Sequence, residues 1–78
     1  MNYEGRLTEI MKAIDRLSRE RGYPPTVREI GVAIGVPSTA TVHQAINVLK
    51  RREWAVSDSR IPRSLRLTEL GVDWMADE

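Results

Sequence analysis

The sequence predicts a mainly α fold that carries one small β-hairpin. Apolar residues recur at helical spacing in successive stretches, and polar capping residues punctuate them. The pattern then changes to two short β-compatible runs around a polar, basic turn. At 78 residues the expectation is a single domain over 1–78, because chains divide into separate cores only well above this length. A hydrophobic content of 41% is enough for a packed core and argues against disorder.

Leu7, Ile10, Met11, Ile14 and Leu17 place the first helix at 6–21. Gly22 stops it, and Pro24-Pro25 cannot continue it. Thr26-Val27-Arg28-Glu29 reads as a capping box, a hydroxyl and a carboxylate three residues apart that each satisfy the other's free amide. It opens a short helix over 27–34, with Ile30, Ala33 and Ile34 on the inner face and Gly35 at the end. Val36-Pro37 turns the chain, and Ser38 or Thr39 caps a third helix over 39–52. Its apolar stripe is Val42, Ala45, Ile46 and Leu49. Trp54-Ala55-Val56 and Ser64-Leu65-Arg66-Leu67 are the arms of a hairpin over 54–67. Thr68 caps a last helix over 69–76, with Leu70 and Trp74 on its apolar edge. A short helix joined by a Gly-containing turn to a longer capped one is a helix-turn-helix unit, and the ribbon after it makes the unit winged.

The run Arg21-Gly22-Tyr23-Pro24-Pro25-Thr26-Val27-Arg28-Glu29-Ile30-Gly31 resembles the signature of the LexA repressor family's DNA-binding domain. The resemblance continues through Ala33-Ile34-Gly35-Val36, Ser38, Thr41-Val42-His43, Leu49 and Pro62-Arg63, and so spans roughly residues 6–67. It implies a winged helix-turn-helix, a double-stranded DNA operator as partner, and transcriptional repression in a bacterial or phage setting. It covers the DNA-reading half of such repressors and not their dimerising Ser-Lys self-cleavage half. Glu53 stands where the family usually has glycine at the start of the first wing strand, so that turn is expected to be built differently or to avoid positive φ. Ser38-Thr39-Ala40 replaces the frequent Ser-Pro-Ser, so the SOS operator is not implied. Leu67-Thr68-Glu69-Leu70-Gly71 is more like the exit from the wing in other winged-helix regulators.

On a wheel of about 100° per residue, the stripe Val42–Ala45–Ile46–Leu49 fixes the inward direction of the third helix. Ala40, Gln44, Asn47 and Arg51 then lie opposite, with Thr41, His43 and Val48 on the flanks. The N-terminal part of this face enters the major groove in a helix-turn-helix. Gln and Asn pair bidentately with adenine, and Thr and Ala methyls contact thymine. The expected base contacts are therefore Gln44, His43, Thr41, Ala40 and Asn47. Backbone candidates are Thr26 and Arg28 at the second helix, Ser38 and Thr39 at the third, and Lys50, Arg51, Arg52, Arg60 and Arg63 beyond. For Thr26 capping is the stronger reading, and for Arg28 the alternative is a surface ion pair. Arg60 or Arg63 has a minor-groove alternative. Val48 either touches a thymine methyl or widens the core stripe.

Net charge is only +1, but residues 38–66 hold six bases against two acids, a local +4. Such a segment is the electrostatic footprint of a phosphate-binding surface or, more blandly, a solvated face. No cysteine is present, so neither a disulfide nor a thiolate metal site is available, and His43 alone cannot hold a metal. No nucleophile–base pair, phosphate-cradling Gly loop or paired carboxylate emerges, so no enzyme, cofactor, metal or small-molecule substrate is expected. With no membrane-length apolar run and no signal-peptide core, the expected compartment is the cytoplasm, at the nucleoid. The competing class is a winged-helix protein-interaction module, such as a phage antirepressor or recombination directionality factor. Trp54 is expected in the core and Tyr23 on the prolines. Trp74 is either covered or left exposed as the surface of a homodimer through the C-terminal helix.

Overall fold

The first helix, α1, spans Tyr3–Arg21 in the computed structural model, which describes residues 3–77. It starts three residues before the expected boundary, because Glu4 suits a first turn where helix amides are free and is also held by Arg52 at 2.9 Å. Leu7, Ile10, Met11, Ile14 and Leu17 face inward and are almost wholly buried. Gly22 leaves the helix at φ 79, donating its amide to the Ser18 carbonyl.

Helix α2 covers Val27–Ile34, and both halves of its capping box are formed. The Glu29 amide donates to Thr26 Oγ1 at 3.2 Å, and the Thr26 amide donates to Glu29 Oε1 at 2.8 Å. Gly35 ends α2 at φ 74. The inner face corrects one expectation: Ile30 and Gly31 are buried, Ile34 is half-buried, and Ala33 is exposed. Gly31 lies where a methyl group would sit 2.8 Å from the Val36 carbonyl oxygen and 3.5 Å from Val42, so only glycine lets the turn close this tightly.

Helix α3 covers Thr39–Arg51 and is capped by Ser38, whose Oγ accepts from the Thr41 amide at 3.2 Å. It ends one residue before the expected boundary, with Arg52 as the C-cap. Trp54 then donates its amide to the Leu49 carbonyl and Glu53 to the Lys50 carbonyl, the paired bonds of a Schellman motif. Glu53 is the left-handed residue of that motif, at φ 62. Of the two expected alternatives, a turn built differently or one that avoids positive φ, the second is overturned. The two closing bonds and the bond from Thr68 Oγ1 to the Glu53 carbonyl, at 2.6 Å, hold the turn in spite of the Cβ clash. Left-handed backbone costs an L-residue about 1–2 kcal/mol, while glycine forfeits about 0.4–1 kcal/mol through the unfolded chain. Glu53→Gly is therefore expected to raise stability by about 0.5 kcal/mol, seen as a melting temperature a few degrees higher.

Strands β1 (Ala55–Val56) and β2 (Arg66–Leu67) pair antiparallel, with Ala55 opposite Leu67 and Val56 opposite Arg66. Both are shorter than the expected runs, because side-chain bonds replace the ladder beyond Val56. Ser64 Oγ accepts from the Asp58 amide at 2.8 Å and donates to the Asp58 carbonyl at 2.9 Å.

Helix α4 covers Glu69–Ala76, and Thr68 Oγ1 caps it by accepting from the Gly71 amide at 3.0 Å. Leu70, placed with Trp74 on the apolar edge, is 53% exposed. The inner face consists instead of Gly71, Trp74 and Met75, since Gly71 is buried directly on the Trp54 backbone. Trp74 stacks on Trp54 with centroids 4.3 Å apart and planes at 22°. Its expected alternatives thus resolve toward cover. The core is the shared interior of α1, Ile30, the α3 stripe, Ala55 and Leu65, and it fixes how α3 and the wing are presented.

Candidate nucleic-acid interface

With Val42, Ala45, Ile46 and Leu49 turned into the core, the opposite side of α3 is left to solvent. Ala40, Thr41, His43, Gln44 and Asn47 are all exposed on it. Val48 is half-buried against the core, which settles it as a widening of the stripe. Thr39, at the start of α3, lines two neighbouring hollows. One is shared with Arg28, Val36 and Pro37, the other with Val27, Ala40, His43 and Gln44. The outer side of α2 and the N-terminal half of α3 thereby form one surface. A groove of about 410 Å³ separates α3 from the wing and brings Thr26, His43, Lys50 and Arg63 together.

The cations divide sharply by partner. Arg28, Lys50 and Arg51 are exposed and make no ion pair among the described residues, so the ion-pair alternative for Arg28 is not realised. Arg60 is bound to the Asp58 carboxylate at 3.2 and 3.3 Å, yet its side chain is 87% exposed. That bond, together with the Arg60 amide, holds the Asp58 carboxyl below its ordinary range.

Two expected phosphate ligands are engaged elsewhere. Arg52 turns to the first turn of α1, donating to Glu4 at 3.0 Å and lying 4.9 Å over the Trp54 ring. This places its charge on the α1 side of the helix end. Arg63 takes left-handed backbone at φ 56 and reaches α2. Its guanidinium forks onto the Glu29 carboxylate at 2.8 and 3.2 Å, donates to the Pro24 carbonyl at 3.2 Å, and lies 4.7 Å over the Tyr23 ring. Tyr23, expected only to pack on the prolines, thus carries a cation. Arg21 completes the cluster at 2.8 Å from Glu29.

Glu29 is pulled down to about 2, first by the Arg63 hydrogen bond and then by the Thr26 amide. The sign follows from a depressed folded value. The stability this carboxylate adds is present above its ordinary 4.5 and is lost as pH falls toward about 2. The same cluster revises Thr26. Its hydroxyl accepts from the Glu29 amide and its own amide donates to the Glu29 carboxylate, so both groups are committed to the capping box.

Arg66 is one of the six bases of the 38–66 segment but is not among the expected individual contacts. It is exposed in β2 between buried Leu65 and half-buried Leu67, without an ion pair among the described residues. The signal was present as strand alternation, which turns Arg66 outward once Leu65 is inward. Among the described residues no cluster of three or more His, Cys, Asp or Glu is placed to hold a metal ion. Among the described residues no helix is long and apolar enough to cross a membrane.

Residues 4–64 match the family described as the LexA DNA binding domain. The chain is 42% identical over 72 residues to the LexA repressor of Pediococcus pentosaceus, covering 92% of this chain and 34% of that protein. With the LexA repressor of Oenococcus oeni it shares 44% identity over 63 residues, 81% of this chain and 30% of that one. With that of Lactobacillus delbrueckii subsp. bulgaricus the identity is 39% over 71 residues, 91% and 34% respectively. The chain spans about a third of the length of these relatives.

Proposed function

This chain belongs to the family of LexA DNA-binding domains, and from that premise we propose that it binds double-stranded operator DNA and represses transcription. The observation that carries the reading is the exposed face of α3, where Ala40, Thr41, His43, Gln44 and Asn47 stand opposite a fully buried stripe. A polar face so fixed enters a major groove with its donors and acceptors already aimed. Ser38 and Thr39 at the start of α3, with Arg28, Lys50 and Arg51, supply the backbone contacts, and Arg60 adds a wing cation. A domain of this size reads one half-site, so two copies on a near-palindrome are the working arrangement, with half-sites about 10 bp apart or a multiple of it. Exposed Leu70 and Val72 on α4 are the apolar residues available to such a pair, Trp74 being used internally.

Selection of bound duplexes from a random pool tests the reading directly. A recurrent sequence with two-fold symmetry is expected, bound with an affinity that falls steeply as salt rises. Lys50→Ala is expected to weaken every duplex alike and to reduce the slope of log affinity against log salt by about 0.9. Enrichment of no duplex, or an affinity indifferent to salt, is the result that overturns it. That outcome would favour the protein-interaction module in its place.

A further inference from the structure

We infer that Glu29 and Arg63 are a positioning pair that fastens the wing to α2 and so fixes the pose in which the wing meets DNA. Arg63 acts through Glu29 and not on a phosphate. The inference rests on the DNA-binding reading above.

The wing needs such a fastening. Its strands pair over two residues each, and a two-stranded ribbon is marginal by itself in water. The Asp58–Ser64 clamp and the Asp58–Arg60 contacts shape the tip internally and do nothing to aim it. Among the described residues, the hydrogen bonds that tie the stretch 57–64 to a helix or its flanking loop are those of Arg63. The guanidinium is suited to the task, because a planar fork matches a carboxylate in two places at once and stacks on an aromatic ring. Glu29 is already held by the Thr26 amide as part of the capping box, so the far side of the bond is anchored before the wing arrives. The wing is thereby attached to the element that precedes the reading helix, and the groove lined by His43, Lys50 and Ile61 keeps its width.

Charge makes the inference testable by sign. Glu29 carries a negative charge on the side that would face phosphates, so pure electrostatics predicts tighter binding when it is removed. A positioning role predicts weaker binding. Glu29→Gln isolates the question, since glutamine keeps the capping bond and loses the charged fork.

The probe is the duplex that the native chain recovers from a random pool. E29Q is expected to bind it about 10-fold more weakly, R63A to match E29Q, and the double variant to be no worse than either. R63K is expected to fall between R63A and the native chain, because lysine pairs as a point charge without the fork. Three further readouts separate positioning from a general structural loss. The base preference found by repeating the selection with E29Q stays native, and its melting temperature stays within a few degrees because exposed ion pairs add little. Hydroxyl-radical protection on the wing's flank of the half-site is lost. Binding by E29Q as tight as or tighter than native, or additive losses in the double variant, overturns the inference while leaving DNA binding intact. A native chain that enriches no duplex fails at the earlier step and removes the DNA-binding reading itself.

Discussion

Gly71→Ala is expected to destabilise the fold by about 2–3 kcal/mol, a fall of on the order of 10–20 °C in melting temperature for a domain of this size. The opposite sign would follow from helix propensity, which favours alanine over glycine by about 1 kcal/mol in a helix interior. Packing decides the matter. A methyl group at Gly71 would collide with the Trp54 carbonyl oxygen and come within 2.9 and 3.0 Å of its carbonyl carbon and Cα. All three are backbone atoms and cannot swing aside. The Trp54 carbonyl also accepts the Thr68 amide at 3.0 Å, so moving it would break the bond that leads into α4. Relief requires α4 to lift, which separates Trp74 from Trp54. Thermal unfolding monitored by circular dichroism measures the effect, and an unchanged or higher midpoint would mean that α4 does not sit on this turn.

Gln44→Ala is expected to erase preference at one base pair of the selected site, a loss of about 1–3 kcal/mol there and little elsewhere. Gln44 is exposed on the outward face of α3, beside Ala40 and His43 in the hollow that Thr39 also lines. Its amide offers a donor and an acceptor in one plane, matching the edge of adenine in the major groove. Alanine keeps the helix intact and removes both. Selections performed in parallel on the native chain and the variant give the comparison. Identical base profiles would place Gln44 outside the reading set, and a uniform loss across all sequences would make it a backbone contact. Lys50→Ala is expected to give the contrasting pattern, since loss of a phosphate contact weakens every duplex without changing preference.

The local grammar of this fold was readable because its signals lie three or four residues apart. Thr26 with Glu29, Ser38 with the Thr41 amide, and Thr68 with the Gly71 amide all close within one helical turn. The outward face of α3 was readable for a related reason, since four apolar residues at helical spacing fix the inward direction and thereby its opposite. Glycine broke this logic twice. Gly31, beside Ile30 on α2, and Gly71 on α4 are buried contact points, and a residue without a side chain adds nothing to an apolar stripe. Spacing instead points inward at Ala33 and gives α4 an edge led by Leu70, and both are exposed. Long-range pairing was equally invisible. Arg63 and Glu29 lie 34 residues apart and Arg52 and Glu4 lie 48 apart, so a count of basic residues gives their number and not their partners. Glu53 shows a third limit, since a left-handed residue held by neighbouring bonds leaves no mark in its own side chain.

The stacking of Trp54 on Trp74 has an optical consequence. The chain has two tryptophans, and both are committed to one contact beyond the C-terminal end of α3, the end farther from Ser38. Indole emission therefore watches whether α4 is docked against the turn at Glu53. Denaturation can be followed by this built-in fluorophore without labelling, and separation of the two rings is the event it records. Occupancy of the Gln44 face calls for a different chromophore, one attached to the DNA.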